Sequence, residues 1–71
     1  MSISEKLKEL RKEMGYTQKE ISKKLEISER QYINLENGKS IPSLETIIKI
    51  ADIYKISIDY ITERTKYKGI K

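Results

Sequence analysis

Apolar residues recur along this chain at steps of three and four, the spacing of helices buried on one face. Ile3, Leu7, Leu10 and Met14 form the first such stripe. Ser2 followed by Glu5 is a capping-box signal at its start. Gly15 stops the helix, with Lys12 near its C-terminal end. Thr17 with Glu20 three residues on opens a second helix, whose inner face carries Ile21 and Leu25 beside the small Ser22. Ile27, an isolated apolar residue in a turn, is expected to plug the space between two helices. Ser28 then caps a third helix, with Gln31 at the box position. Tyr32 and Leu35 face inward, and Asn37-Gly38 ends the helix, both residue types tolerating a left-handed backbone.

Lys39-Ser40-Ile41-Pro42 reads as a linker, since Pro42 biases Ile41 toward an extended conformation. Ser43 opens a fourth helix with Leu44, Ile47, Ile48, Ala51 and Tyr54 inward and Ile50 at the edge of that face or in an interface. Ser57 opens a short fifth with Ile58 and Ile61 inward, and Ile56 is a second plug. Strand-like alternation occurs only over Ile56 to Tyr60, so the thirteen Ile and five Tyr do not make a β protein. The expected fold is all-α: a compact five-helix domain over residues 1–63, followed by a polar tail, 64–71, that frays unless a partner orders it.

Composition narrows the chemistry. The chain has 71 residues and no Cys, His, Trp or Phe. One domain is the ceiling at this length. Disulfides, thiol or histidine catalysis and the usual zinc sites are excluded. Asp52 and Asp59 have no evident acid–base partner, and no glycine loop cradles phosphate, so enzyme activity is not expected. No metal or other cofactor is implied. No stretch approaches the roughly 20 apolar residues of a membrane span, and Met1 to Glu5 lack the features of a signal peptide. A cytoplasmic protein without membrane contact is the expectation. The net charge of +4 permits a polyanionic partner without requiring one. Lys23-Lys24 and the pair Lys6/Lys8 read as solvated surface.

The second and third helices, joined through Leu25-Glu26-Ile27, have the form of a helix–turn–helix. The helix from Ser28 to Asn37 can then enter a DNA major groove, exposing Glu29, Arg30, Ile33 and Asn34. Arg30 suits guanine and Asn34 suits adenine, each by a bidentate pair; Glu29 can accept from cytosine or support Arg30; Ile33 can pack on a thymine methyl. Gln18, at the start of the second helix, sits among backbone N–H groups suited to phosphate. Tyr16, Asn37, Lys39 and Ser40 complete the expected backbone contacts, although Asn37 can equally serve as a cap.

These segments resemble the phage-repressor/Cro-type (XRE) helix–turn–helix family. The resemblance runs through Thr17-Gln18-Lys19-Glu20-Ile21-Ser22, Ile27-Ser28, Tyr32 and Leu35-Glu36-Asn37-Gly38-Lys39. It continues through Ile41-Pro42-Ser43-Leu44, Ile47, Ile50-Ala51 and Ile56-Ser57-Ile58-Asp59, covering roughly residues 3 to 62. It implies a λ-repressor-like five-helix domain in a prokaryotic or phage transcriptional regulator that binds operators as a homodimer. Gln18 matches the glutamine that touches phosphate and buttresses the recognition helix. Glu29, Arg30 and Asn34 match base-reading positions. Glu36 matches an acidic position paired inside the domain, here with Arg11, a structural role. The chain departs from the pattern at Glu26 and Lys55, where glycine is common, at Ser22, where alanine is usual, and at Ile33, where a polar residue is more common.

The expected function is therefore repression from a palindromic operator, with double-stranded DNA and a second copy of the chain as partners. Tyr60, Ile61, Arg64 and Tyr67 are the candidate dimer contacts, whereas Tyr32 and Tyr54 are assigned to the core. The alternatives are an antitoxin that also regulates its own promoter, a module whose partner is a protein such as a toxin or antirepressor, and a protein-interaction domain with no role on DNA.

Overall fold

The structure is a computed structural model that describes residues 3–61. Five helices follow one another: α1 (Ile3–Met14), α2 (Gln18–Leu25), α3 (Glu29–Glu36), α4 (Leu44–Tyr54) and α5 (Ile58–Ile61). There is no strand among the described residues. No helix among them is long and apolar enough to cross a membrane.

Local chemistry sets the helix starts. Thr17 and Ser28 each close a full capping box, with Glu20 and Gln31 returning the bond to the cap backbone. Ser43 Oγ accepts from the Thr46 N–H at 3.2 Å. These bonds satisfy amides that the first helical turn otherwise leaves open. Ser2 lies outside the described residues.

The stops differ in their strain. Gly15 and Gly38 take left-handed backbones at φ of 76° and 77°. Asn37 does not, at φ −87°, so Gly38 alone makes that reversal. Glu26 and Lys55 adopt the same left-handed region at φ of 61° and 58° with no glycine to ease it. The exposed Glu26 carboxylate accepts from Lys49 Nζ, 3.0 Å away.

The helices close around Leu7, Leu10, Ile21, Leu25, Tyr32, Leu35, Ile47, Ile50, Tyr54, Ile56 and Ile61. α3 packs on both α1 and α2, which fixes its position against them. Buried Ser22 stands where α2 is covered, and its hydroxyl donates back to the Lys19 carbonyl at 2.8 Å. Ile56 is a buried plug, and Ile27 a partly buried one.

Several expected inward positions face solvent instead. On α4 the buried stripe is Ile47, Ile50 and Tyr54, so Ile50 is fully enclosed while Ile48 turns outward. Two residues apart on a helix, Ile48 and Ile50 are separated by about 200° and face nearly opposite sides, so burying one exposes the other. Leu44, at the first position of α4, is likewise exposed. Met14 and Ile58, at the far end of α1 and the start of α5, are also exposed. Lys6 departs in the other direction. It is buried, with its ammonium 4.8 Å from the centre of the Tyr60 ring, so its stem covers apolar surface.

Candidate nucleic-acid interface

The capping of α3 decides which of its residues are available. Ser28 N–H donates to Gln31 Oε1 at 2.9 Å, while Ser28 Oγ accepts from the Gln31 N–H at 3.0 Å. Gln31 is thereby committed to the helix start. Tyr32 and Leu35 are committed to the core. Of the remaining positions, Glu29 and Arg30 are exposed and Ile33 and Asn34 half-buried.

Glu29, Arg30, Ile33 and Asn34 line one shallow groove together with Asn37 and Lys39. Donors, acceptors and one apolar surface thus share a single face, with a lysine at its margin. Ser40 sits next door, in a second groove that Asn34 also borders, with Ile41 and Pro42 along its wall.

Gln18 and Tyr16 are positioned separately, at the turn from α1 into α2. Arg11 organises this region. Its Nε donates to Glu36 Oε2 at 2.6 Å, and its Nη2 reaches Glu36 Oε1 at 3.4 Å. Its Nη1 donates to the Tyr16 carbonyl at 3.0 Å. Gln18 Nε2 donates to Glu36 Oε1 at 3.3 Å. One buried carboxylate therefore joins α1, the start of α2 and the end of α3. The Tyr16 ring packs near Tyr54 at 6.3 Å between centroids, and Lys24 Nζ stands 5.3 Å from the Tyr16 ring centre.

The electrostatics follow from burial and pairing. Burial pushes the Glu36 carboxyl up, but the hydrogen bond from Arg11, with smaller help from Gln18, more than reverses this and holds it below its ordinary range. The Arg11 guanidinium is raised, first by its hydrogen bond to Glu36. Burial pushes the Tyr32 and Tyr54 hydroxyls well above the usual phenol range. Both hydroxyls are enclosed without a hydrogen-bond partner among the described residues, Tyr32 lying beside the Glu36 carboxylate but outside bonding geometry. No group of three or more metal-ligating side chains occurs among those residues.

The candidate dimer contacts do not share one surface. Ile61 is fully buried inside the protomer, which corrects its assignment to an interface between copies. Tyr60 is half-buried under Lys6. Arg64 and Tyr67 lie outside the described residues. Sequence reasoning missed the bond from Gln18 to Glu36, because no periodicity relates positions eighteen residues apart.

Residues 7–61 match the helix-turn-helix family. The chain is 39% identical over 61 residues to the HTH-type transcriptional regulator ImmR of Bacillus subtilis, covering 86% of this chain and 48% of that protein. It is 38% identical over 64 residues to the cryptic phage CTXphi transcriptional repressor RstR of Vibrio cholerae, covering 90% and 57%. A third relative, the regulator MJ0272 of Methanocaldococcus jannaschii, is 37% identical over 57 residues, covering 80% and 86%. The chain spans about half the length of ImmR and RstR. The crystal structure of the P22 c2 repressor in complex with a synthetic operator superimposes with a TM-score of 0.84 at 18% identity, over 92% of this chain and 98% of that one. That likeness concerns the fold.

Proposed function

The chain belongs to the phage-repressor/Cro-type helix-turn-helix family, and on that premise we propose that it is a sequence-specific double-stranded DNA-binding transcriptional regulator. The observation that carries this reading is the single groove lined by Glu29, Arg30, Ile33, Asn34, Asn37 and Lys39 on and beside α3. A helix of this kind fits the major groove, whose base edges give each pair its own donor and acceptor pattern. Arg30 offers a two-pronged donor, Asn34 a donor–acceptor pair, Glu29 an acceptor and Ile33 a methyl-sized apolar surface. Lys39, Asn37 and Ser40 hold the sugar-phosphate backbone on one side of α3, with Gln18 and Tyr16 on the other. These backbone contacts set register, and the base contacts set sequence.

Repression is the favoured outcome, with two copies bound to a palindromic operator and their recognition helices about 34 Å apart, one DNA turn. ImmR is named a regulator and RstR a repressor, which supports this direction of control. Bound at a promoter, such a dimer excludes RNA polymerase.

Selection of bound sites from random duplexes tests the reading, because an inverted repeat must emerge from it. On the selected site, Arg30→Ala is expected to cost about 1–3 kcal/mol and to relax preference at one base pair. Lys39→Ala is expected to weaken all duplexes alike and to lower the slope of log affinity against log salt by about one. A pool that yields no enriched sequence, or an Arg30→Ala protein as selective as its parent, removes the proposal.

A further inference from the structure

We propose that Glu36 is a positioning residue for DNA, orienting the Gln18 side-chain amide toward the phosphate backbone through the 3.3 Å bond from Gln18 Nε2 to Glu36 Oε1. The inference rests on the reading of Gln18 as a phosphate contact. It gives the buried Arg11–Glu36 pair a role in binding beyond holding helices together.

An ionised carboxylate can only accept hydrogen bonds. Facing Glu36, the Gln18 amide must therefore present its nitrogen, and the alternative amide orientation would set oxygen against oxygen. One Nε2 hydrogen is spent on Glu36. The other remains for an acceptor, next to the N–H groups of Gln18 and Lys19, which the opening turn of α2 leaves without intrahelical partners. The neighbouring Glu20 N–H is already taken by Thr17 Oγ1 at 3.0 Å, which leaves the open donors at the very start of the helix.

Glu36 is suited to this task by its own fixation. Its side chain is 2% exposed, and Arg11 holds it at 2.6 Å through Nε. Arg11 in turn bonds the Tyr16 carbonyl two residues before Gln18, so the turn that carries the amide is tied to the same guanidinium. Arg11 also neutralises the carboxylate, so that a negative charge close to the backbone-binding edge does not repel phosphate. A free glutamine would lose side-chain rotamers on binding, whereas one held in advance does not.

A double-mutant cycle on DNA affinity tests this, using the full chain, a duplex selected as above and a scrambled duplex, with circular dichroism confirming that each protein is folded. Gln18→Ala is expected to weaken both duplexes about tenfold, the worth of one hydrogen bond to a charged group. The loss is equal on the two duplexes because phosphate contacts carry no sequence information. Glu36→Gln is expected to weaken binding several-fold in the parent and less than about twofold in the Gln18→Ala background, the non-additivity of residues acting through one another.

An equal cost of Glu36→Gln in both backgrounds overturns the inference, since a purely structural effect does not depend on Gln18. Unchanged affinity in Gln18→Ala, with Arg30→Ala still weakened, also overturns it while leaving the docking of α3 in place. A parent that binds no duplex removes the functional proposal and this inference with it. Should Glu36→Gln not fold, the NMR order parameter of the Gln18 side-chain amide in the free parent decides. A rigid amide supports the inference and a freely averaging one overturns it.

Discussion

Glu36 is the residue at which stability and pH meet. Its carboxyl is held below its ordinary range in the folded chain, against the opposing push of burial. A group with a depressed folded pKa adds stability that is present above its unfolded pKa, roughly 4.3, and is lost as pH falls through the folded value. Thermal unfolding is therefore expected to show a stability loss below about pH 4 that Glu36→Gln lacks. At neutral pH that variant is expected to be about 1–3 kcal/mol less stable, because the half-buried Arg11 loses its counter-charge. The two curves should converge in acid; parallel curves would remove Glu36 from the pH response. Tyr54 gives the opposite sign. Burial raises its phenol, so its contribution is intact below about pH 10 and lost as pH rises through the folded value. Tyr54→Phe is expected to match or exceed the parent at neutral pH, since the hydroxyl it removes has no bond to lose. It is also expected to flatten the alkaline decline in an equilibrium urea titration.

At the scale of the element, the helix ends were the most legible part of the chain. Thr17 with Glu20 and Ser28 with Gln31 are short-range patterns whose chemistry is complete within four residues, and the structure forms both boxes. The face of α4 was not legible in the same way. Leu44, Ile47, Ile48, Ile50, Ala51, Ile53 and Tyr54 leave it apolar nearly all round, so periodicity could not say which stripe the core would take. The groove on α3 was more legible, because burial of Tyr32 and Leu35 and commitment of Gln31 leave few other outward positions. The turns carry a measurable cost. A non-glycine residue in the left-handed region gives up about 1 kcal/mol. Lys55→Gly is therefore expected to raise stability by about 0.5–1 kcal/mol, read as a shift in the denaturation midpoint. Glu26→Gly should recover less than Lys55→Gly, since it also forfeits the 3.0 Å pair with Lys49. A loss of stability in Lys55→Gly would show that the unfolded chain's added freedom outweighs the relieved strain.

For the molecule as a whole, the placement of Ile61 separates folding from assembly. The short α5 carries Ile61, which the sequence reads both as an inward-facing residue and as a candidate dimer contact. Ile61 is fully enclosed with Leu7, Leu10 and the α4 stripe in the one core of the described residues. A small domain has little reserve, so a cavity at this position acts on the entire fold. Ile61→Ala is expected to cost about 2–5 kcal/mol, whereas Ile48→Ser, at a 43% exposed position, is expected to stay within about 0.5 kcal/mol of the parent. Each lost kcal/mol lowers the melting temperature of a domain this size by about 4–8 °C, well within the reach of a thermal scan. Protein concentration discriminates the two roles of Ile61. A side chain buried within one protomer gives the same deficit at low and high concentration, while a contact between copies gives a deficit that changes with concentration by mass action. The expected result is a concentration-independent deficit for Ile61→Ala. Any dimer formed on a palindromic operator must then be built on surface outside this core, because withdrawing Ile61 to make the contact would unfold the helix-turn-helix that the contact is meant to align.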